Sequence, residues 1–315
     1  MSLRPVVQAW PVADYDLAST LECGQAFRWI RAGEGWESVV GDHWARVESI
    51  PEGLRVSWMG DAPEAPWLRH HLAADEVLEP ILATFPEDAP MRAAVARCRG
   101  LRLLRQDPWE CLASFICSST KQIVQIRQIV ALLSERWGRV VPTPPEAVLH
   151  HAFPTPESVA RAGEQALRDC KLGFRAPYLL DAARRVVDGR LDLTAVARMD
   201  TAEARRALME IHGVGRKIAD CVLLFSYGRQ DAFPIDVWVR RALIQKYFPK
   251  ARRITAARLE AFSQTHFGPY SGLCPAVPLP PRPLGGGAVE GLVIRRMRPA
   301  TGLLEVITSV GTVVP

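Results

Sequence analysis

The chain lacks several features that mark whole classes of protein. None of its apolar runs approaches the ~18 residues of a membrane span, and its N-terminus, MSLRPVVQAW, has no apolar core of an export signal. Its seven cysteines are scattered, with no CxxC pair and no clustered four-cysteine signature for an iron–sulfur cluster. We therefore expect an unsecreted, cytoplasmic chain with reduced thiols, no membrane contact and no iron–sulfur cluster.

Lysine is scarce although the chain is rich in basic residues. Of its 39 lysines and arginines, only five are lysine: Lys121, Lys171, Lys217, Lys246 and Lys250. Arginine satisfies a simple phosphate contact, so a lysine at a special position points to its nucleophilic amine, which arginine does not offer. The few lysines are therefore candidate nucleophiles.

The charge is unevenly distributed along the sequence. Residues 1–90 hold 6 Lys/Arg against 15 Asp/Glu, a formal charge of −9. Because the whole chain has a net charge of +5, residues 91–315 carry a net charge of +14. A basic body of this kind suggests a polyanionic partner, DNA or RNA. A solvated basic surface is the alternative that charge alone leaves open.

The hydropathy pattern divides the chain into three parts. Apolar and polar residues alternate in QAFRWI, WESVVGDHWARVESI and GLRVSWMG, which predicts a small antiparallel sheet. Helical spacing dominates from about residue 91 to 270. We predict an α+β chain with an antiparallel β domain with helices (1–88), an all-helical domain (89–273) and an irregular tail (274–315) with seven prolines and six glycines.

Polar residues punctuate the predicted helices. Ser118 and Ser119 are expected to break the stretch 107–138 and to cap a second helix. Asp200 or Thr201, followed by Glu203, predicts a capping box at the start of a later helix.

The stretch TAEARRALMEI-HGVG-RKIADCVLLFSYG predicts two helices joined by a tight turn. Gly213 and Gly215 allow positive φ and the close approach of another chain. Free N–H groups at the start of the second helix carry positive partial charge, which suits a phosphate of the DNA backbone. An ordinary corner between two helices is the alternative that the motif alone leaves open.

Lys217 and Asp236 are the candidate catalytic pair. Lys217 lies two residues beyond Gly215, where the helix dipole disfavours the protonated amine and so favours attack on an electrophilic carbon. Asp236 follows in DAFPIDVWVRR, after a loop that Pro234 restricts, and is placed to cap the next helix. An aspartate facing Lys217 across a cleft would also stabilise cationic charge on a sugar. A purely structural cap is the alternative.

Five motifs together resemble the helix-hairpin-helix DNA glycosylases that have a Gly/Pro-rich loop and a catalytic aspartate. Within that superfamily the chain is most similar to the 8-oxoguanine DNA glycosylases with AP lyase activity. The motifs occur in order across about residues 10–273: LECGQAFRW (21–29), GLRLLRQDPWECLASFICSSTKQI (100–123), KLGFRAPYL (171–179), GVGRKIADC with PIDV, and FGPYSGL (267–273).

The resemblance implies both an architecture and a partner. It implies a TBP-like antiparallel sheet domain packed on an all-helical glycosylase domain, in a monomer that acts on double-stranded DNA containing oxidised guanine. It places the enzyme in base excision repair at the bacterial nucleoid. A related glycosylase for another oxidised base and a DNA-binding but catalytically impaired homologue are the alternatives.

The resemblance also assigns the catalytic roles. Lys217 matches the nucleophile that attacks C1′ of the damaged nucleotide, expels the base and forms a Schiff base, after which β-elimination nicks the strand. Asp236 matches the aspartate that stabilises the cationic transition state and orients the lysine. The main-chain carbonyls of Met209, Ile211 and Val214 match a site for a structural monovalent cation, and no other cofactor is implied.

Four further residues match positions that recognise the lesion. The Gly24 carbonyl would accept a hydrogen bond from N7–H of 8-oxoguanine, and Cys221 would stack on one face of the extruded base. Phe174 would fill the opened stack, and Arg175 would read the orphaned cytosine. The alternatives are that Gly24 is a turn glycine, that Cys221 is a small buried residue, that Phe174 is a core aromatic and that Arg175 is a surface charge.

The chain departs from the best-known eukaryotic relatives at three positions of the DNA-facing region. Thr120 stands where they have an asparagine that fills the hole left by the base, Gln125 where they have an arginine, and Trp238 where they have a histidine. We place Thr120 among the substrate-binding residues and expect Lys121 to supply a phosphate contact. With these changes, the sequence does not determine which base is preferred opposite the lesion.

The tail is the largest departure. In the family the last motif continues into a helix whose glutamine and phenylalanine contact the base, whereas Pro275 and Leu279 stand at those positions here. We hypothesise that residues 274–315 are disordered or translated out of frame. One set of synonymous codons for residues 274–283, read one base later, encodes Ala-Gln-Gln-Tyr-Leu-Phe-His-His-Ala-Arg. Sequencing the gene tests this, because codons that cannot yield that peptide exclude it.

With the tail as written, we expect DNA binding with weak base selectivity and reduced excision, because half of the base-stacking sandwich is missing. A single-turnover assay on a duplex containing 8-oxoguanine measures this. Excision at a rate equal to that of a chain carrying the shifted tail would contradict the prediction.

Overall fold

An antiparallel sheet built from the alternating N-terminal sequence forms the first part of the protein. The computed structural model describes residues 4–251 and 253–273. The sheet has the strand order β1-β5-β4-β3-β2. Its strands are β1 (Pro5–Pro11), β2 (Ile30–Ala32), β3 (Gly35–Val40), β4 (His43–Ile50) and β5 (Gly53–Met59).

One face of this sheet is buried. In β5, Leu54, Val56 and Trp58 are buried whereas Arg55 is exposed and Ser57 is half-buried, as the two-residue period of a strand requires. Helices α1 (Leu17–Glu22) and α2 (Pro66–His71) contribute to the same apolar cluster. The sheet therefore has its own core, as its alternating pattern predicts.

The predicted strand QAFRWI is wrong for residues 25–29, because β2 begins only at Ile30. The buried Gln25 side chain donates to the carbonyls of Thr20 (2.7 Å) and Arg102 (2.8 Å) and accepts from the amide of Leu104 (2.9 Å). These side-chain bonds to backbone take the place of a strand ladder. They attach the segment to residues 102–104 instead of to the sheet.

Helices make up most of the remaining chain. They are α3 (Glu79–Leu82), α4 (Ala89–Arg97), α5 (Pro108–Cys117), α6 (Ile123–Trp137), α7 (Pro156–Leu167), α8 (Ala176–Val187), α9 (Leu193–Val196), α10 (Thr201–Met209), α11 (Arg216–Phe225), α12 (Val237–Tyr247) and α13 (Ala256–Phe267). No helix within the described residues is long and apolar enough to cross a membrane.

Helices α5 and α11 pack against each other at the centre of the helical core. Every residue of α5 from Cys111 to Cys117 is buried, and so is every residue of α11 from Ile218 to Leu224. A helix that is buried on all sides lies inside a protein rather than on its surface. The packing of this buried part of α11 therefore also fixes the position of its first turn.

The predicted capping signals are correct for the start of α10 and wrong for the start of α6. Asp200 and Glu203 form the predicted capping box of α10. The helix break after Cys117 is also as predicted, but the cap of α6 is Gln122 rather than a serine. The reason is that the Ser118 hydroxyl donates back to the Phe115 carbonyl (2.7 Å) and so closes α5.

The predicted boundary between residues 88 and 89 stays a prediction. The tail 274–315, with Cys274, Pro275 and Leu279, lies outside the described residues.

We expect Gln25→Met to lower the free energy of unfolding by roughly 2–4 kcal/mol, because buried backbone groups lose their hydrogen-bond partner. Gln128→Met, at an exposed position of α6, is the matched control and should change it by less than about 0.5 kcal/mol. Chemical denaturation measures both. Equal midpoints for the two variants would contradict the assigned role of Gln25.

Candidate active site

The turn between α10 and α11 forms an open helix hairpin. Gly213 has φ 84°, and a Cβ at this position would lie 2.3 Å from the Tyr178 ring, so only glycine fits. Gly215 is extended at φ −93° and caps α11 without a side chain, and the space where its Cβ would stand is open. Of the two glycines, Gly213 therefore uses positive φ, while Gly215 leaves the α11 N-terminus accessible.

A buried carboxylate holds the two helices of the hairpin together. Asp220, on α11, accepts a hydrogen bond at 2.5 Å from Arg205 Nε on α10. Arg216 Nε lies 3.6 Å from the same carboxylate and 3.1 Å from Glu260 of α13. These contacts fix the direction of the first turn of α11, which carries Lys217.

Lys217 is half-buried, with its amine enclosed by side chains of the core. The Nζ atom lies 5.0 Å from the centroid of the Phe115 ring, on α5. The Cys221 thiol lies one helical turn away on the same face of α11, close enough for the Lys217 charge to lower its pKa. Burial raises the pKa of Cys221 to about 11, against the opposing effect of the Lys217 charge. Cys221 is therefore a neutral thiol at pH 7.

Asp236 caps α12 as predicted. Its Oδ1 atom accepts from the amides of Trp238 (2.9 Å) and Val239 (2.7 Å). Within the described residues no hydrogen bond reaches Oδ2, so this oxygen is available to a substrate. The Cys221 thiol interacts electrostatically with both Lys217 and Asp236. The lysine and the aspartate therefore both lie near the Cys221 thiol.

Gly24 lies on a segment that reaches the same site through Phe115. Its φ of 90° favours glycine, and a Cβ there would lie 3.2 Å from Ile123 at the start of α6. Phe27, three residues on, packs edge-on against the Phe115 ring with centroids 5.5 Å apart. Phe115 therefore contacts both the Gly24 segment and Lys217.

Phe115 is a site residue that sequence reasoning missed. The pattern of α5 indicates only that this position is buried, and Phe115 is 3% exposed as that pattern requires. Nothing in the local sequence shows that its ring would lie beneath the amine of a residue about a hundred positions away.

The exposures of Phe174 and Arg175 exclude the alternatives of a core aromatic and a surface charge. Phe174 is 53% exposed, so it is not a core aromatic, and Arg175 is 2% exposed, so it is not a surface charge. The Arg175 guanidinium lies 4.1 Å from the Phe174 ring centroid and donates to the Ser119 carbonyl and the Thr120 hydroxyl. The arginine is held beneath the exposed ring.

Thr120 has an unfavourable backbone conformation. Its φ of 56° lies in the left-handed region, which a β-branched residue rarely adopts. Such strain costs on the order of 1–3 kcal/mol and concentrates at functional sites. The neighbouring Lys121 is half-buried, and the Gln125 side chain is engaged in capping α6.

The predicted cation ligands lie in the hairpin turn. The Ile211 carbonyl accepts from the Val214 amide at 3.0 Å, whereas no hydrogen bond to the carbonyls of Met209 or Val214 is found in the described part of the chain. Residues 4–251 and 253–273 also contain no group of three or more His, Cys, Asp or Glu side chains that could hold a metal ion. Any ion in the hairpin would thus rely on main-chain oxygens.

Two family models match consecutive parts of the chain. Residues 9–112 match the 8-oxoguanine DNA glycosylase N-terminal domain. Residues 113–265 match the HhH-GPD superfamily of base excision DNA repair proteins. The matches cover both the sheet and the helix hairpin, and they confirm the predicted family and fold class.

Individual relatives agree over most of their length. The probable N-glycosylase/DNA lyase of Methanothermobacter thermautotrophicus is 30% identical over 292 residues, which cover 82% of this chain and 90% of the relative. The N-glycosylase/DNA lyase of Saccharomyces cerevisiae is 30% identical, covering 73% of this chain and 68% of the relative.

A solved structure supports the same relationship. The Clostridium acetobutylicum 8-oxoguanine glycosylase/lyase, in complex with double-stranded DNA containing cytosine opposite 8-oxoguanine, superimposes with a TM-score of 0.78 at 27% identity. The match covers 88% of this chain and 97% of that chain. With its helix hairpin, its lysine and its capping aspartate, this chain belongs to the N-glycosylase/DNA lyase family of HhH-GPD base excision DNA repair proteins.

Proposed function

We propose that this protein is a bifunctional DNA glycosylase/AP lyase that removes 8-oxoguanine from duplex DNA and then cuts the strand. The observation that carries the proposal is that Lys217 lies on the first turn after an open helix hairpin, with its amine 5.0 Å from the centroid of the Phe115 ring. Lys217 and Asp236, nineteen residues apart in sequence, both influence the pKa of the buried Cys221 thiol. A nucleophile and a carboxylate at a phosphate-binding turn are suited to chemistry at C1′ of a nucleotide.

DNA binding comes first in this mechanism. The uncapped α11 N-terminus at Gly213 and Gly215 binds a backbone phosphate through its N–H groups, and Lys121 contacts a second phosphate. The target nucleotide then rotates out of the duplex, because neither C1′ nor the base edge is accessible in the stack. Phe174, exposed at the edge of the site, fills the gap that the nucleotide leaves.

Lys217 and Asp236 carry out base removal. The lone pair of Nζ attacks C1′, the bond from C1′ to the base breaks, and its electron pair leaves with the base. The free Oδ2 of Asp236 stabilises the cationic charge that develops on the sugar. Loss of the amine protons and opening of the sugar ring give a Schiff base. β-Elimination then removes a proton from C2′ and forms a double bond between C2′ and C3′, while the bond from C3′ to its phosphate oxygen breaks and the phosphate leaves, which nicks the strand.

The base pocket distinguishes 8-oxoguanine from guanine by one proton. The Gly24 carbonyl, which accepts no hydrogen bond within the described residues, accepts N7–H of the lesion. Guanine has a lone pair at N7 and would leave this acceptor unpaired and repelled, which costs about 1–3 kcal/mol. The neutral Cys221 thiol packs against one face of the base, where a thiolate would repel its electron-rich ring.

Arg175 reads the base opposite the lesion. To reach an orphaned cytosine, its guanidinium leaves the Ser119 carbonyl and the Thr120 hydroxyl that hold it in the DNA-free protein. Thr120 therefore competes with the cytosine for the arginine. This competition supports a weaker preference for cytosine than an asparagine at that position would give.

The hairpin carbonyls fit a monovalent cation. Those of Met209 and Val214 have no hydrogen-bond donor among the described residues, and that of Ile211 accepts one. An ion held there would add positive charge beside the DNA backbone, and the chemistry at Lys217 does not pass through it. We propose that the protein acts without another cofactor, as a monomer, at the nucleoid in the cytoplasm.

We expect Lys217→Gln to abolish borohydride cross-linking to a duplex containing 8-oxoguanine and to lower strand cutting by about 10³-fold or more, because the Schiff base requires the amine. Lys246→Gln, at an exposed lysine of α12, is the matched control and should cross-link like the wild type. Gel separation of trapped complexes measures both. A wild-type chain that binds the lesion duplex without cross-linking would instead be a catalytically impaired homologue.

We expect Asp236→Asn to reduce single-turnover excision by about 10²–10³-fold, because it removes the charge that stabilises the transition state. Asparagine is as good a helix cap as aspartate, so the free energy of unfolding should stay within about 0.5 kcal/mol of the wild-type value.

Asp200→Asn, at the cap of α10, is the matched control for this substitution. It should leave excision unchanged. Full excision by Asp236→Asn would limit Asp236 to a structural cap.

A further inference from the structure

Trp238 differs from every other tryptophan of the chain in its exposure. The protein has nine tryptophans, of which six are buried and two, Trp67 and Trp137, are half-buried. Trp238 alone is exposed, at 39%. A large aromatic ring contributes most to stability when it is buried, so an exposed one beside a candidate active site suggests contact with a ligand.

The position of Trp238 is fixed relative to the catalytic carboxylate. Its amide donates to Asp236 Oδ1 at 2.9 Å, which places the ring on the first turn of α12. Val239, the next residue, is buried and anchors this turn in the core, whereas Val237 is 71% exposed. The start of α12 therefore presents two adjacent apolar side chains to solvent, next to the Asp236 carboxylate that caps the helix.

A cation supports one side of the indole ring. The Arg241 guanidinium, one helical turn along α12, lies 5.1 Å from the ring centroid. Arg241 is itself exposed. This cation–π contact restricts the rotamers of the tryptophan and keeps a positive charge next to the ring. An exposed aromatic surface beside an arginine is the arrangement by which proteins bind unpaired nucleotides, with stacking on the base and charge toward the phosphate.

We propose that Trp238 is a substrate-contacting residue whose ring stacks on the extruded base, with Arg241 orienting the ring. The inference rests on the proposed function, because it requires a nucleotide whose C1′ meets Lys217. In the proposed mechanism Asp236 acts at that C1′, so the base attached to it would lie close to the Asp236 carboxylate. Trp238 is only two residues from Asp236, on the same turn of α12. Stacking would compensate the base for the neighbours it loses in the duplex.

The test compares two duplexes that differ only at the target nucleotide. One contains 8-oxoguanine, and the other contains a tetrahydrofuran abasic analogue, which has a sugar and phosphates but no base. Binding is measured by fluorescence anisotropy with the full chain carrying Lys217→Gln, so that no turnover occurs. We expect Trp238→Ala to weaken binding of the 8-oxoguanine duplex by about 5- to 150-fold and to leave the abasic duplex within about twofold.

Two further variants complete the design. Trp238→Phe keeps an aromatic face and should restore most of the affinity for the 8-oxoguanine duplex, whereas Arg241→Gln should weaken it by less than Trp238→Ala does. In the catalytic chain, Trp238→Ala should slow single-turnover excision and still be trapped by borohydride. A wild-type chain that is not trapped would count against the proposed function and not against this role of Trp238.

Equal weakening of both duplexes by Trp238→Ala would overturn the proposal, because the ring would then contact the DNA backbone or support the fold. Unchanged affinity for both would also overturn it. A loss of unfolding free energy together with an equal loss on both duplexes would show that Trp238 packs against another part of the chain.

Discussion

The site depends on one contact, the position of the Lys217 amine between the Phe115 ring and the Cys221 thiol. Helix α5 supplies the ring and α11 supplies both the amine and the thiol, so the geometry exists only because the buried segments of these two helices pack together. The Cys221 thiol also interacts with Asp236, at the start of α12. Displacement of any of these three helices would change the position of the Lys217 amine relative to the Asp236 carboxylate.

Polar groups buried in the core extend this constraint to the segment that contains Gly24. Gln25 attaches the Gly24 segment to residues 102–104 through two hydrogen bonds. Phe27 of the same segment rests against Phe115. Satisfied polar networks of this kind select one arrangement of a core, because any alternative leaves a buried group without a partner. The sheet region and the helical region are thereby joined at the place where a base would enter.

The sequence predicted much of the fold and less of the site. Alternation in residues 35–59 and helical spacing after residue 91 correctly indicated a sheet followed by helices, because both patterns report local periods. The assignment of residues 25–29 as a strand was wrong because the buried Gln25 and Arg28 side chains, whose partners hydropathy cannot indicate, bind backbone groups of other segments. The cap at Asp236 was predicted correctly from its position before an apolar helix, whereas the contact of Phe115 with Lys217 was not predicted at all.

The sequence by itself determined the residue types and the order of the motifs, including the single lysine after GVG and the aspartate before α12. These are local properties, set by turn chemistry and helix capping. Only the tertiary structure decided that Arg175 is buried under an exposed Phe174, that Thr120 has left-handed φ, and that Trp238 faces solvent. Burial depends on contacts between segments far apart in the chain, and no local pattern specifies them.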